Sequence, residues 1–254
     1  MKNLYNTSFT KFRWFVKRFG WSQLIMKPLR TVFAPIIIRM RRQLYFEYNG
    51  KVVPVLYARH SVTWSNERCV EVPLVMSMLE GCDKTSVLEV GNVLKNFYSL
   101  PHIVVDKFAK GHSVLNEDIL TLDIPPCYDF VVSISTLEHV RFDDDALDTT
   151  YDSFLQAVDR CKRMVAPGGK FIFTVPLGYN PAVDEAIRQN KLPEFDCTFF
   201  VRRTFAFWWP LRDASCVMGV ANGNTLLNGY EYGRPYPYAN AFMVAVYTKP
   251  ENVK

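Results

Sequence analysis

The first 46 residues contain no Asp or Glu. They carry ten cations instead: Lys2, Lys11, Arg13, Lys17, Arg18, Lys27, Arg30, Arg39, Arg41 and Arg42. The whole chain has 30 basic and 25 acidic residues, so residues 47–254 hold 20 against 25 and a formal charge of −5. A basic leader therefore precedes a mildly acidic body. The six cysteines include no C-x-x-C pair, which speaks against a zinc site and a disulfide framework and leaves reduced, mostly buried thiols as the expectation. No apolar run approaches the roughly 20 residues that span a bilayer. The longest near the start, Val32, Phe33, Ala34, Pro35, Ile36, Ile37 and Ile38, lies between Arg30 and Arg39. Arg39-Met40-Arg41-Arg42 follows it where a secretory signal would have small residues, so a cytoplasmic protein is expected. No G-x-G-x-x-G occurs, which counts against a nicotinamide-dinucleotide turn. There is no internal repeat or low-complexity tract. At 254 residues, 49% hydrophobic and 22% charged, the chain has enough apolar side chains for a core and fits one large α/β domain or a smaller one with an extension.

What is present divides the chain at about residue 66. In residues 8–19 the apolar Phe9, Phe12, Phe15, Val16 and Phe19 recur at three- and four-residue steps, with Lys11, Arg13, Lys17 and Arg18 off that arc. This pattern predicts a basic amphipathic helix. Such a helix suits reversible attachment of residues 1–43 to an anionic membrane surface, the inner leaflet in particular, and equally suits packing of its Phe stripe on the body. Asn49-Gly50 between two apolar runs predicts a hairpin with a type I′ turn. Residues 66–80 predict a helix ended by Gly81, with Pro73 disturbing its early part. Domain assignment follows as residues 1–66, the basic extension with its hairpin, and residues 67–254, the body.

After Gly81 short apolar runs alternate with helical patterns. Residues 86–90, 102–106, 128–134 and 170–175 read as strands, and residues 151–165 as a helix. Strands apolar on both faces predict a Rossmann-like, mainly parallel sheet with helices on both faces. Residues 241–247 read as a late antiparallel strand of that sheet. In such sheets ligands bind beyond the carboxyl ends of the strands. Those ends carry Glu89-Val90-Gly91-Asn92, Asp106, Asp118-Ile119 and Ser135-Thr136-Leu137-Glu138-His139.

Residues 86–176 resemble the core of class I S-adenosylmethionine-dependent methyltransferases, poorly characterised bacterial ones among them. Val87-Leu88-Glu89-Val90-Gly91 resembles the family's first motif, and Asp106 matches the acid that ends its second strand. Asn116-Glu117-Asp118-Ile119 resembles the adenine-side loop, Leu137-Glu138-His139-Val140 a segment after the fourth strand, and Val165-Ala166-Pro167-Gly168-Gly169-Lys170 the turn into the fifth. The resemblance implies S-adenosylmethionine as cofactor, with Glu89, Gly91, Asn92, Asp106, Asp118, Ile119 and Ser135 in its site. Gly91 would let backbone approach the methionine part, Asp106 would accept from the ribose hydroxyls, and Asp118 would accept from the adenine amino group. The family's first loop usually has two or three glycines, whereas Gly91 here is followed by Asn92, Val93 and Leu94. Asn92 is expected to take up a glycine-like conformation in their place.

Methyl transfer to a hydroxyl needs a base, and His139 is the best-placed candidate, with Tyr179 and Glu138 behind it. Tyr230, Tyr232, Arg234, Tyr236 and Tyr238 form a tail cluster that fits either an acceptor pocket or a packed loop. The expected partner is a small-molecule or glycan-precursor acceptor, methylated at oxygen. Two other readings compete: an RNA methyltransferase whose leader holds phosphates, and a non-catalytic protein that keeps the fold. The first is disfavoured because Ser133-Ile134-Ser135-Thr136 lacks the polar-Pro-Pro-aromatic signature of enzymes that methylate base amino groups.

Overall fold

The computed structural model describes residues 12, 13, 16, 20–125, 127–143, 150–203, 231–234 and 236–251. Of the amphipathic helix expected over residues 8–19, only Phe12, Arg13 and Val16 are described, and all three are helical; the rest of that segment lies outside the described residues.

A helix absent from the sequence expectations, α1 (Trp21–Met40), comes next and contains both Pro28 and Pro35. Only Ala34 of α1 is fully buried, packed with Val62 and Trp64 and flanked by Ile37 and Ile38. The expected hairpin is present as β1 (Tyr45–Tyr48) and β2 (Lys51–Pro54), with Tyr48 opposite Lys51. Asn49 and Gly50 both have positive φ, 49° and 73°, as a type I′ turn demands.

Helix α2 (Arg68–Met78) falls inside the expected 66–80 segment and runs straight through Pro73. A proline in a helix leaves the carbonyl four residues back without its donor. Here the Cys69 carbonyl accepts from the Leu56 amide at 2.8 Å, so the chain leaving β2 makes good the missing bond. The proline thereby joins the hairpin to α2.

Among the described residues seven strands form one sheet: β3 (Val87–Val90), β4 (Ile103–Val105), β5 (Val114–Leu115), β6 (Tyr128–Ile134), β7 (Val165–Pro176), β8 (Cys197–Arg202) and β9 (Ala241–Thr248). Their spatial order is β5-β4-β3-β6-β7-β9-β8. Pairings from β5 to β7 are parallel, and β9 is antiparallel to both of its neighbours. The expected Rossmann-like sheet and its late antiparallel strand are both present. The chain steps outward from β3 to β5 and then returns to lay β6 on the other side of β3. Strand order therefore reverses at the carboxyl ends of β3 and β6, where a crevice must open.

Alternation along the strands supplies the two faces. Leu88, Val90, Val131, Phe171, Phe173, Val175 and Met243 point to one side, where α3 (Asp152–Met164) and α4 (Pro181–Arg188) bury Phe154, Val158, Cys161 and Val183. Val87, Val132, Ile134 and Ile172 point to the other, against Val72, Val75 and Leu79 at α2. The hairpin shares that second face: Phe46, Tyr48 and Val53 pack with Val70 and Leu74 of α2 and with Phe199, Phe242 and Val244. Asn180 caps α4 by accepting from Ala182 and Val183, with Pro181 in the first turn.

Two expectations need correction. Asn92 is not among the residues of positive φ, so Gly91 alone, at 88°, makes the turn after β3. Cys197 is disulfide-bonded, whereas all six thiols were expected to be reduced; Cys69, Cys82, Cys127 and Cys161 are free and Cys216 lies outside the described residues.

Candidate active site

A cavity of about 330 Å³ opens at the carboxyl ends of β3, β4 and β6, where the strand order reverses. Gly91, Asn92, Asp106, Asp118, Ile119, Ser135, His139 and Tyr179 all line it. Eight sequence-predicted residues from five chain segments thus meet in one hollow. Glu89 and Glu138 do not line it.

Gly91 is where backbone forms the wall. A Cβ there would fall 2.1 Å from Thr136 Oγ1 and 2.7 Å from Thr136 Cβ, so any side chain would collide with the segment leaving β6. Asp106 ties the adjoining loops together. Its Oδ1 accepts from the Phe108 and Ala109 amides at 2.8 and 2.7 Å, and its Oδ2 accepts from the Asn92 amide at 3.1 Å. A carboxylate oxygen has two lone pairs, so Oδ2 keeps acceptor capacity toward the cavity. Beside it the Asn92 side-chain oxygen is buried with no hydrogen-bond partner.

Glu89 has a different task from the one its motif suggests. Its carboxylate is fully buried; Oε1 accepts from the Val93 and Leu94 amides at 2.8 and 2.6 Å, and Oε2 meets His102 Nε2 at 2.7 Å. Placing it in contact with a ligand is therefore corrected. It anchors from below the short turn after Gly91, which lacks the extra glycines, and is a positioning residue.

Asp118 lines the cavity, but its carboxylate is already engaged. Oδ1 accepts from the Leu120 amide at 3.0 Å, and Oδ2 lies 3.2 Å from Lys107 Nζ and 3.3 Å from an Arg141 guanidinium nitrogen. Burial pushes its pKa up, yet the Leu120 amide and the two cations outweigh that and hold it below the usual value. Ser135, at φ 42°, gives its hydroxyl to the buried Glu71 carboxyl at 2.7 Å. Burial and the nearby Glu67 charge drive Glu71 up to about 8, against hydrogen bonds from Ser135 and Thr174.

The far side of the cavity is a cluster around His139. Its Nδ1 bonds Asp143, and its Nε2 stands 3.4 Å from Glu138 Oε1. The Tyr179 hydroxyl donates to Asp143 at 3.1 Å, and its ring meets His139 edge-on with centroids 4.7 Å apart. Partial desolvation lowers the His139 pKa, but the Glu138 and Asp143 carboxylates prevail and raise it above the ordinary value. Glu138 is 1% exposed, and neither carboxylate oxygen has a hydrogen-bond partner; burial raises it to about 7, against the pull of His139. Tyr232 packs edge-on against Tyr179 with centroids 5.1 Å apart, which brings part of the expected tail cluster to this end. Tyr230 lies outside the described residues.

Arg68, at the start of α2, and Asp143 also line the cavity, and neither was expected. Asp143 had a signal in its place four residues after His139, the spacing at which side chains meet across one helical turn. Arg68 had none, because α2 reaches the cavity only through the tertiary fold.

No family model matches the chain, and no curated protein matches it. Among solved structures it is similar to the N-methyltransferase NodS from Bradyrhizobium japonicum in complex with S-adenosyl-l-homocysteine, at 16% identity and a TM-score of 0.38, over 73% of this chain and 92% of that one. It is also similar to a SAM-dependent methyltransferase from Methanosarcina mazei, at 11% identity and a TM-score of 0.38, over 71% of this chain and 98% of that one.

Proposed function

We propose that this chain is an S-adenosylmethionine-dependent methyltransferase that acts at a hydroxyl of a small molecule or glycan precursor. The observation that carries the reading is the hollow at the strand-order reversal, where Gly91 leaves no room for a Cβ and Asp106 ends the neighbouring strand. The residues fit the cofactor. The unpartnered Asn92 oxygen can accept from an ammonium or hydroxyl group, Asp106 Oδ2 has capacity for a ribose hydroxyl, and Ile119 gives an apolar wall for a base. Asp118 would act on the adenine end mainly through the loop it fixes, since its oxygens already hold Leu120, Lys107 and Arg141.

S-adenosylmethionine supplies an electrophilic methyl group when bound. Alignment of acceptor and methyl can then provide much of the rate. His139 takes the acceptor's proton. Asp143 holds Nδ1, which leaves Nε2 as the nitrogen without a hydrogen bond, and the Tyr179 hydroxyl donates to the same carboxylate. The raised pKa makes His139 a stronger base that is neutral only at higher pH.

Incubation with methyl-labelled cofactor and a panel of sugars and other hydroxyl compounds tests the proposal. Transfer to a hydroxyl acceptor, giving an alkali-stable ether, is expected from the parent protein. Label that enters RNA in preference would favour the nucleic-acid reading, and cofactor binding without transfer to any acceptor would favour the non-catalytic one.

A further inference from the structure

The side of α1 turned away from the body is almost wholly apolar. Trp21, Ile25, Leu29, Val32, Ile36 and Met40 follow one another at steps of three or four residues, and their exposures run from 42% for Leu29 to 81% for Met40. That spacing places them in one stripe along the helix, and Met26 and Phe33, 43% and 49% exposed, widen it. Over 20 residues the stripe extends about 30 Å. Isolated exposed apolar side chains are ordinary, but a continuous stripe of this length marks a surface that something covers.

Charge identifies the cover. The stripe belongs to a segment of 46 residues with ten cations and no acid, while the body is acidic. Arg39 and Arg42 are exposed at its C-terminal end, whereas Arg30 and Arg41 turn inward, onto Tyr238 and onto Tyr57 and Trp64. No helix among the described residues is long and apolar enough to cross a membrane, so α1 can lie on a bilayer but not span it. We infer that α1 docks lengthwise on an anionic lipid surface, its stripe in the acyl boundary and the exposed Arg39 and Arg42 at the headgroups. The inner side of α1 is fixed to the body by Ala34, Ile37 and Ile38 against Val62 and Trp64, so binding needs no unfolding of the helix. This inference uses no property of the cavity and stands independently of the reaction proposed above.

Co-sedimentation of the full chain with vesicles tests it. Binding is expected to phosphatidylcholine vesicles containing phosphatidylglycerol, to weaken in high salt, and to be far weaker on phosphatidylcholine alone. The variant I25E/V32E/I36E, whose three sites are exposed, should keep the parent's thermal melt and lose at least about tenfold in partitioning; I25Q/V32Q/I36Q, which adds no charge, should also weaken binding. Equal partitioning of parent and either variant, or no binding by the parent, overturns the inference. So does a parent that is dimeric and fails to bind vesicles while the glutamate variant is monomeric, because a second copy would then cover the stripe.

Discussion

The two ends of the cavity are built on opposite terms. At the Gly91 and Asp106 end, the acids are already bonded: Glu89 accepts from Val93 and Leu94, and Asp106 accepts from Asn92, Phe108 and Ala109. At the His139 end, acids crowd a histidine, and Glu138 is buried with no donor on either oxygen. Bonded acids fix the loops of the first end, and its open acceptors, the Asn92 side-chain oxygen and Asp106 Oδ2, suit it to hold one constant ligand. An end with unsatisfied, displaced ionisable groups is suited to proton movement, since buried acids near neutral pKa exchange protons at little driving force.

The largest expected consequence lies at the second end. His139→Ala should lower turnover by about 10²- to 10⁴-fold while cofactor affinity stays near the parent's. Steady-state kinetics beside calorimetry check this, and a loss confined to affinity would erase the distinction between the ends. Gly91→Ala acts at the first end. It combines an unfavourable φ of 88° with a collision against Thr136, and should cost about 2–4 kcal/mol of stability in urea unfolding.

Buried Glu71 predicts a pH effect on stability. With its pKa raised to about 8 in the folded state, the folded protein holds a proton that the unfolded chain loses near pH 4.5. The contribution of Glu71 to stability should therefore be fully present below that pH and fall by more than about 1 kcal/mol as pH rises toward 8. Glu71→Gln should flatten the profile. The smallest effect belongs to Asp143→Asn. Removing a carboxylate that raises His139 should shift the ascending limb of the kcat/KM profile to lower pH, by about one unit or less. An unmoved limb would show that another group titrates.

These two ends also differ in how far the sequence reveals them. Gly91 and Asp106 are set by local rules, a turn after a strand and an acid at a strand end, so both are readable from neighbours in the chain. Glu89 sits in a recognisable motif, but its role depends on the fold of the turn above it and on His102 thirteen residues away. Arg68 reaches the cavity only because α2 packs beneath β6, a tertiary fact without a local trace. Helix α1 was hidden by Pro28 and Pro35 and by the lack of a capping side chain at Gly20. Helix α4 had a readable start in Asn180-Pro181. The hairpin shows the reverse case, since Asn49-Gly50 dictates its turn whatever it later packs on.

Calorimetric titration of the parent and Asp106→Asn with S-adenosylhomocysteine tests directly whether the Gly91 and Asp106 end holds S-adenosylmethionine. Loss of the carboxylate charge should weaken binding by about 10- to 150-fold in a protein whose thermal melt shows it folded, with His139→Ala binding as the parent does. Equal affinity of parent and Asp106→Asn, or no binding by a folded parent, would contradict a cofactor site at that end.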